Sequence, residues 1–319
     1  MVKLSPSRVK TLFSCGILYW NTYKNSELPR SPGNSGSSRG SVVHYVLECL
    51  IRSSRKSRVQ KILNLKDPWC DPPVKRLAMI HAKKLEVSDE ENFEMIRKFI
   101  LTGLQSDFYC NGATEVIAEQ QFDIKTDSYH IGGFIDKIAI YEDKIRGVDY
   151  KSSKAKFTGK DVTFNLQNYF YTLALREKYP NKPTEFQFQF LKFPKNPIQE
   201  SPPISNEEMK GFKDWLGEIT KFIDNFTYPQ AKDMAAKNSQ INKWLCGAAH
   251  GELKVDGTPK WTCSMRYPFI YFVIIENGKV VKSEMNRADL EKIVKEGQEI
   301  EQRNYNGCEM WKKEWETKK

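Results

Sequence analysis

The sequence contains no apolar run that approaches the length of a membrane-spanning helix, and its N-terminus lacks a signal-peptide pattern. These two absences argue against a helical membrane protein and against secretion. Charged residues make up 28% of the 319 residues and hydrophobic residues 39%, a balance typical of a globular protein rather than a disordered one. We therefore expect an intracellular, cytoplasmic protein.

Cysteine occurs seven times, yet never as a Cys-x-x-Cys pair, and the chain has no internal repeat. An odd and scattered set of cysteines does not form the disulfide framework of a small secreted protein. This absence also favours a reducing compartment.

Positive charge is in excess, because 50 Lys and Arg residues stand against 40 Asp and Glu residues. The formal net charge of +10 favours a polyanionic partner, of which nucleic acid is the simplest. Charge alone is a weak indication, since many basic proteins bind no nucleic acid.

Alternating apolar residues predict strands over residues 115–124, 132–141, 144–151 and 184–193, with a helix over about 165–178 between the last two. This order predicts a mixed β-sheet core flanked by helices, an α/β (α+β) fold. We expect three regions: an N-terminal helical region (residues 1–110), the sheet core (residues 111–200) and a C-terminal lobe of helix and small β elements (residues 201–319).

Local signals predict further elements outside the core. Ser5 and Pro6 suit the cap and first turn of an N-terminal helix. The Gly-, Ser- and Pro-rich residues 25–39 predict a surface loop. In the C-terminal lobe, Asn277-Gly278 predicts a hairpin turn, and residues 286–303 are typical of a charged amphipathic helix.

The two central strands predict a hairpin with carboxylates on both arms. If Glu142 and Asp143 form its turn, Asp136 lies directly opposite Asp149, about 5 Å away between Cβ atoms. Lys151 shares their face because side chains alternate along a strand. Like charges placed opposite each other are destabilising, so a cation is expected between the two carboxylates.

Two interpretations of this hairpin remain open from the residues alone. It is either a surface ladder of alternating charges or a site for Mg²⁺ or Mn²⁺, with the carbonyl of Tyr150 as a further oxygen ligand. In the second case Lys151 would orient a water and stabilise charge on a phosphate, as in a phosphodiesterase. His44 and Glu48, four residues apart on a probable helix, would equally suit a plain surface pair.

Several short motifs, taken together and in order, resemble the PD-(D/E)XK nuclease superfamily. The core resemblance lies in Gly132-x-x-x-Asp136 followed by Asp149-Tyr150-Lys151. The opening helix from Leu4 to Cys15 and two further motifs are similar to the RecB-type exonuclease branch, which includes CRISPR-associated relatives; those motifs are Gly40-x-x-x-His44 and Gln167-x-x-x-Tyr171. The resemblance covers about residues 4–193 and implies a restriction-endonuclease-like sheet.

The resemblance implies a role for each matching residue. His44, Asp136 and Asp149 would bind metal, and Lys151 would act with the two aspartates in catalysis. Gln167 and Tyr171 would contact the DNA backbone or brace the site. Glu119 stands where the family often has a glutamate on the preceding strand, and the resemblance assigns it no single role.

The implied function is a metal-dependent DNA nuclease, by branch an exonuclease, that uses one or two Mg²⁺ or Mn²⁺ ions. It would serve DNA processing, recombination or defence, in the host cytoplasm if phage-encoded. The alternative is a catalytically silent subunit, or one of secondary activity, in a larger recombination, replication or defence complex.

Some RecB-type relatives hold an iron–sulfur cluster, which suggests a second site for this chain. Cys15 matches the early cysteine, and Cys246, His250 and Cys263 would supply later ligands for a cluster or for zinc. Cys308 is distant along the chain. Ordinary buried cysteines are an equal alternative.

Overall fold

The computed structural model describes residues 1–25, 27–29, 35–53, 55–239, 242 and 263–311. The chain forms two compact units. Unit 1 comprises residues 1–5 and 33–220, and unit 2 comprises residues 6–32 and 221–319. The boundaries at residues 110 and 200 expected from the sequence remain a prediction. No helix in the described ranges has the length and apolar character needed to cross a bilayer.

Strands and helices alternate irregularly along the chain. The strands are β1 (Lys3–Leu4), β2 (Glu115–Lys125), β3 (His130–Ile140), β4 (Ile145–Lys151), β5 (Thr184–Phe190), β6 (Ile198–Glu200), β7 (Phe269–Glu276), β8 (Lys279–Glu284) and β9 (Glu299–Tyr305). The helices are α1 (Pro6–Ser14), α2 (Gly16–Tyr19), α3 (Ser35–Arg52), α4 (Lys56–Leu65), α5 (Pro72–Lys84), α6 (Glu90–Gln105), α7 (Lys160–Thr163), α8 (Leu166–Lys178), α9 (Asn206–Asp224), α10 (Tyr228–Asp233) and α11 (Arg287–Glu291).

A six-stranded mixed sheet lies in unit 1. The sequence predicts the mixed sheet and its strands β2 to β5, but not β1 and β6. β2 pairs antiparallel along nearly all of β3, and β4 pairs antiparallel with the C-terminal part of β3. β1 pairs parallel with the first residues of β3, and β5 pairs parallel with β4. β6 completes the sheet antiparallel to β5. The parallel β4–β5 pair is possible because α8 supplies the crossover between these strands.

The predicted hairpin turn at Glu142 and Asp143 is confirmed. Tyr141 N donates to Lys144 O at 2.9 Å, and Ile140 pairs with Ile145. The turn therefore fixes the register of β3 against β4, and with it the relative positions of the acidic side chains.

Helices cover both faces of this sheet. Val148 and Tyr150 of β4 belong to a buried cluster with apolar residues of α3, α4, α5 and α6. On the opposite face, a Cβ atom on Gly147 would lie 2.7 Å from Phe186 and 3.0 Å from Leu175 of α8. Successive residues of β4 thus face opposite helical layers, as expected for a strand that is buried on both faces.

Unit 2 combines short helices with a three-stranded antiparallel sheet in the order β8–β7–β9. Asn277 and Gly278 both have positive φ, 51° and 72°, which confirms the predicted hairpin turn between β7 and β8. α2 packs closely on the segment around α10, where Gly16 N donates to Met234 O at 2.8 Å.

Two sequence predictions are wrong in the described residues. Residues 25–39 are not a loop throughout, because α3 begins at Ser35. Residues 286–303 are not one helix: α11 ends at Glu291, Gly297 has φ +82°, and β9 follows and pairs with β7. The charged residues in this range are compatible with an exposed edge strand as well as with an amphipathic helix. Hydrogen bonding to β7 stabilises the strand.

Candidate active site

β3 and β4 separate at the end of their ladder, and the acidic residues lie at this fork. The last paired residues are Lys137 and Val148, so the same register puts Asp136 opposite Asp149, as counted from the sequence. Tyr150 N donates to Asp136 Oδ2 at 2.7 Å, so a side chain replaces a ladder partner at the fork.

Lys151 forms an ion pair and a hydrogen bond on the α8 side of the fork. Its Nζ lies 2.5 Å from Asp149 Oδ2 and donates to Gln167 Oε1 at 2.6 Å. Gln167 Nε2 donates to Asp149 Oδ1 at 3.1 Å and to Tyr171 Oη at 3.3 Å. Gln167 and Tyr171 lie one helical turn apart, and Asn165 caps the start of their helix by accepting from Gln167 N. Four residues expected from the sequence are thus joined in one network.

Asp149 is almost fully buried, with 4% of its surface exposed. Burial raises the pKa of this carboxyl to about 6; Lys151 opposes the shift and Asp136 adds to it. Within the described chain Asp149 Oδ2 makes no well-directed hydrogen bond, despite the nearby ammonium of Lys151. A buried carboxylate oxygen with spare lone pairs is a position that a bound cation would satisfy.

His44, from α3, faces the other carboxylate of the fork. Its Nδ1 lies 3.3 Å from Asp136 Oδ1, and its ring meets the Tyr150 ring edge-on at 5.6 Å between centroids. Burial disfavours the imidazolium form, but Asp136, Asp149 and Glu119 outweigh it and raise the pKa of His44 to about 9.

Glu119 is the residue that the predicted ligand set leaves out. The pairs on either side of it in β2 and β3, Ala118 with Lys137 and Gln120 with Ile135, put it opposite Asp136. It has φ +49°, and burial followed by the charge of Asp136 raises its pKa to about 7. The β2–β3 register would have predicted that Glu119 lies opposite Asp136. No residue pattern in the sequence predicts its left-handed backbone conformation.

The donor atoms at the fork fit a divalent metal ion. One atom each from His44, Glu119 and Asp136 lies within 4.8 Å of the others, the one group of three His, Cys, Asp or Glu residues in the described ranges that meets this spacing. Carboxylate oxygens suit Mg²⁺ and Mn²⁺, and an imidazole nitrogen is accepted more readily by Mn²⁺. The carbonyl of Tyr150 as a further ligand remains a prediction.

A groove leads to this site along α3. It encloses about 460 Å³ and is lined by small or polar residues of α3 together with residues of β2 and of the segment after β4: Ser37, Gly40, Ser41, His44, Tyr45, Glu48, Glu119 and Ser152. The small side chains on α3 leave the ligands accessible to a bulky substrate.

Three cysteines come together in unit 2, far along the chain from one another. Cys15, Cys263 and Cys308 pack around Ala236 and Trp311 and line one small cavity. Of the predicted second-site ligands, the structure thus brings Cys15 and Cys263 together and adds Cys308. Cys246 and His250 lie outside the described residues.

Comparison with protein families matches residues 3–265 to the PD-(D/E)XK nuclease superfamily. The chain belongs to this superfamily. Its members are nucleases that generally use divalent metals, and membership accounts for the acidic fork, the following lysine and the mixed sheet that carries them.

Solved structures that match the chain include a protein from Eubacterium rectale named "Putative exonuclease" and the protein VC1899 from Vibrio cholerae. The first is 9% identical with a TM-score of 0.44, over 76% of this chain and 87% of the other. The second is 12% identical with a TM-score of 0.23, over 78% of this chain and 59% of the other. At such scores neither likeness carries an argument about function. No curated protein matches the chain.

Proposed function

We propose that this chain is a Mg²⁺- or Mn²⁺-dependent deoxyribonuclease of the RecB-like branch that degrades DNA from an end. The observation that supports this most directly is the set of donor atoms from His44, Glu119 and Asp136 within 4.8 Å of one another. The Lys151–Asp149 pair stands immediately beside them. The preference for DNA ends rests on the resemblance of the sequence motifs to RecB-type exonucleases.

In this proposal His44, Glu119, Asp136 and Asp149 hold the metal. The ion would polarise the scissile phosphate and lower the pKa of an attacking water. Lys151, oriented by Gln167, donates hydrogen bonds to that water and to a phosphate oxygen, and it stabilises the negative charge that develops there. Tyr171 limits the movement of Gln167, so the ammonium meets the substrate in one orientation.

Digestion of end-labelled linear DNA and closed circular DNA, each with Mg²⁺, Mn²⁺ or EDTA, tests this function. We expect linear DNA to be degraded with either metal, circular DNA to persist, and EDTA to stop the reaction. Cleavage that continues in EDTA would remove the metal mechanism, and rapid cleavage of circles would remove the requirement for an end.

Lys151→Ala tests the catalytic assignment. We expect it to lower the rate of cleavage by at least about 10²-fold, since it removes a donor that acts on the developing charge. The matched control is Lys61→Ala, which removes an exposed lysine from α4. Equal activity of the two variants would contradict the role of Lys151.

The three cysteines of unit 2 support a second metal centre of the iron–sulfur type. Cys15, Cys263 and Cys308 line one cavity, and grouped thiolates of this kind are the ligands of iron–sulfur clusters as well as of zinc. Cys246 is the natural candidate for a fourth ligand.

Charges around this cavity are compatible with thiolates. Trp311 has two cations over its ring, with Lys237 Nζ at 4.2 Å and the Arg266 guanidinium carbon at 3.9 Å from the centroid. Burial and then the charges of Cys308 and Cys263 raise the pKa of Tyr305, which keeps its hydroxyl protonated beside them.

Iron, zinc and acid-labile sulfide are measured in protein purified without oxygen. We expect iron and sulfide with visible absorbance, and their loss in Cys263→Ser and Cys308→Ser. Cys70→Ser, which changes a cysteine of unit 1, is the control and should retain both. Stoichiometric zinc without sulfide would contradict the cluster.

A further inference from the structure

Two cationic side chains from separate stretches of unit 1 lie within electrostatic range of a third, that of Lys192. Arg39 belongs to α3, Lys154 to the segment after β4, and Lys192 to the segment after β5. Burial and then the charges of Arg39 and Lys154 lower the pKa of Lys192. We call these three residues the cation cluster.

A backbone hydrogen bond holds Lys192 beside the end of β4. Leu191 N donates to Lys151 O at 2.8 Å, so Lys192 directly follows a residue bonded to the catalytic lysine. The Lys192 Nζ lies 5.6 Å from the ring centroid of Phe99 on α6, a contact that keeps the ammonium over that helix.

Arg39 approaches from the α3 side. Its neighbour Gly40 lies so near the end of β4 that an added Cβ would be 3.0 Å from Ser152 Oγ. The Arg39 guanidinium donates to Asn92 Oδ1, also on α6, and its Nε is buried without a hydrogen-bond partner in the described residues. A larger side chain at residue 40 would separate α3 from the loop that carries Lys154.

The cation cluster has no carboxylate bound to it in the ranges that the structure describes. None of the ion pairs there includes Arg39, Lys154 or Lys192. The pKa of Asp89 is lowered mainly by two hydrogen bonds from Asn92, and the charge of Arg39 makes the smallest contribution to this shift. Like charges within electrostatic range of Lys192 raise the free energy of the folded state unless an anion offsets them.

We propose that the cation cluster binds a second phosphate of the DNA strand, adjacent to the phosphate that is cleaved. This inference rests on the proposed nuclease function. Gly40, which follows Arg39, and Ser152, two residues before Lys154, both line the groove that holds the metal ligands His44 and Glu119. The cation cluster therefore lies at the margin of that groove. The small residues Gly40 and Ser41 in this groove leave room for the sugar that joins the two phosphates.

Binding of a labelled single-stranded oligonucleotide in EDTA tests the cation cluster without requiring catalysis. We expect Arg39→Gln and Lys192→Gln each to weaken binding by about tenfold, the effect of one charge-assisted contact. Each should also make the dependence of log affinity on log salt shallower by about 0.7, since one phosphate contact is lost.

Lys61→Gln is the matched control, because it removes one exposed positive charge from α4. We expect its affinity and salt dependence to stay within twofold of wild type. If the cluster variants behave like this control, the inference is overturned. Thermal unfolding of all three variants shows whether any loss comes from misfolding; Lys154→Gln, at an exposed loop position, then carries the test.

A substrate series with one neutral methylphosphonate at each position locates the bound phosphate. We expect one position, next to the cleaved bond, to raise KM about tenfold for wild type and to have no further effect on Arg39→Gln. Additive losses at every position would overturn the inference. If the cluster variants bind DNA more weakly but the wild-type protein shows no metal-dependent cleavage, the proposed nuclease function fails while the cation cluster stands. The failures of the two proposals are therefore distinguishable.

Discussion

At the scale of single residues, Glu119 combines backbone strain with a buried charge. A non-glycine residue in the left-handed region costs about 1–3 kcal/mol, and such strain is concentrated at functional sites. The conformation has a visible effect on the strand, because Ala118 packs in the cluster with α3 and α6 while Phe122 contacts Tyr171 of α8. Strict alternation would direct these two residues to the same face.

We predict that Glu119→Gly stabilises the metal-free protein relative to Glu119→Ala by about 1 kcal/mol, because only glycine relieves the left-handed strain. Both variants remove the carboxylate, so both should bind Mn²⁺ more weakly than wild type. Thermal unfolding in EDTA measures the first effect and Mn²⁺ titration the second. An alanine variant as stable as the glycine variant would show that residue 119 carries no strain.

The protonation of His44 makes metal binding depend on pH. Burial is outweighed by the surrounding carboxylates, which hold the pKa of the metal-free imidazole at about 9, and an imidazolium has no lone pair for a metal. Below pH 9 the metal must displace a proton, so Mn²⁺ affinity should rise with pH and level off above about 9. Calorimetry at pH 8 in buffers of different ionisation heat measures the released proton.

His44→Ala is the informative comparison for this pH effect. At pH 8 the carboxyl groups of Glu119 and Asp149, with pKa values of about 7 and about 6, are already mostly ionised. Proton release should therefore nearly vanish in the variant. Unchanged release would mean that His44 is not a ligand.

At the scale of elements, the sequence predicts what is determined locally. The turns at Glu142-Asp143 and Asn277-Gly278 depend on short-range backbone preferences, and both hairpins are as expected. β1 has two residues and exists only through its pairing with β3, so no local pattern indicates it. The helicity of Ser35–Arg39 is likewise imposed by tertiary contacts, since Ser and Gly are poor helix formers.

Two helical glycines should respond to alanine with opposite signs. A Cβ on Gly16 would lie 2.5 Å from Ala231 O and 2.9 Å from its Cα, so α2 and α10 must separate; we expect a loss of about 1–3 kcal/mol. A Cβ on Gly211, in α9, meets no atom within 4 Å, and alanine should stabilise the helix by up to about 1 kcal/mol. Urea unfolding of both variants measures the two effects, and a stabilising Gly16→Ala would contradict the close packing.

At the scale of the whole molecule, some site residues can be predicted from their spacing along the sequence, whereas others are brought together only by the tertiary structure. Asp136, Asp149 and Lys151 follow from one hairpin register, and Gln167 from its helical spacing to Tyr171. The cation cluster and the grouping of Cys308 with Cys15 join residues that are far apart along the chain. Neither has a sequence spacing from which it could have been predicted.

The net charge of +10 predicts that the protein binds DNA whether or not it can cleave it. Asp149→Asn removes a buried negative charge next to Lys151, so we expect undetectable cleavage with DNA affinity at least equal to wild type. Fluorescence anisotropy in EDTA measures the affinity. Asp143→Asn, in the exposed turn, is the control and should cleave normally; loss of binding in Asp149→Asn alone would indicate that the residue is needed for folding.

The course of the chain through its two units has a consequence for synthesis. Unit 1 takes residues 1–5 and 33–220, so unit 2 consists of one segment made before most of unit 1 and one made after it. At about 5–20 residues per second, Cys15 leaves the ribosome on the order of 10 to 50 s before Cys263. During that interval the later segment of unit 2, which contacts Gly16, Tyr19 and Asn21 in the folded protein, is incomplete. The apolar side chains of the early segment are therefore a part of the nascent chain that a chaperone would recognise.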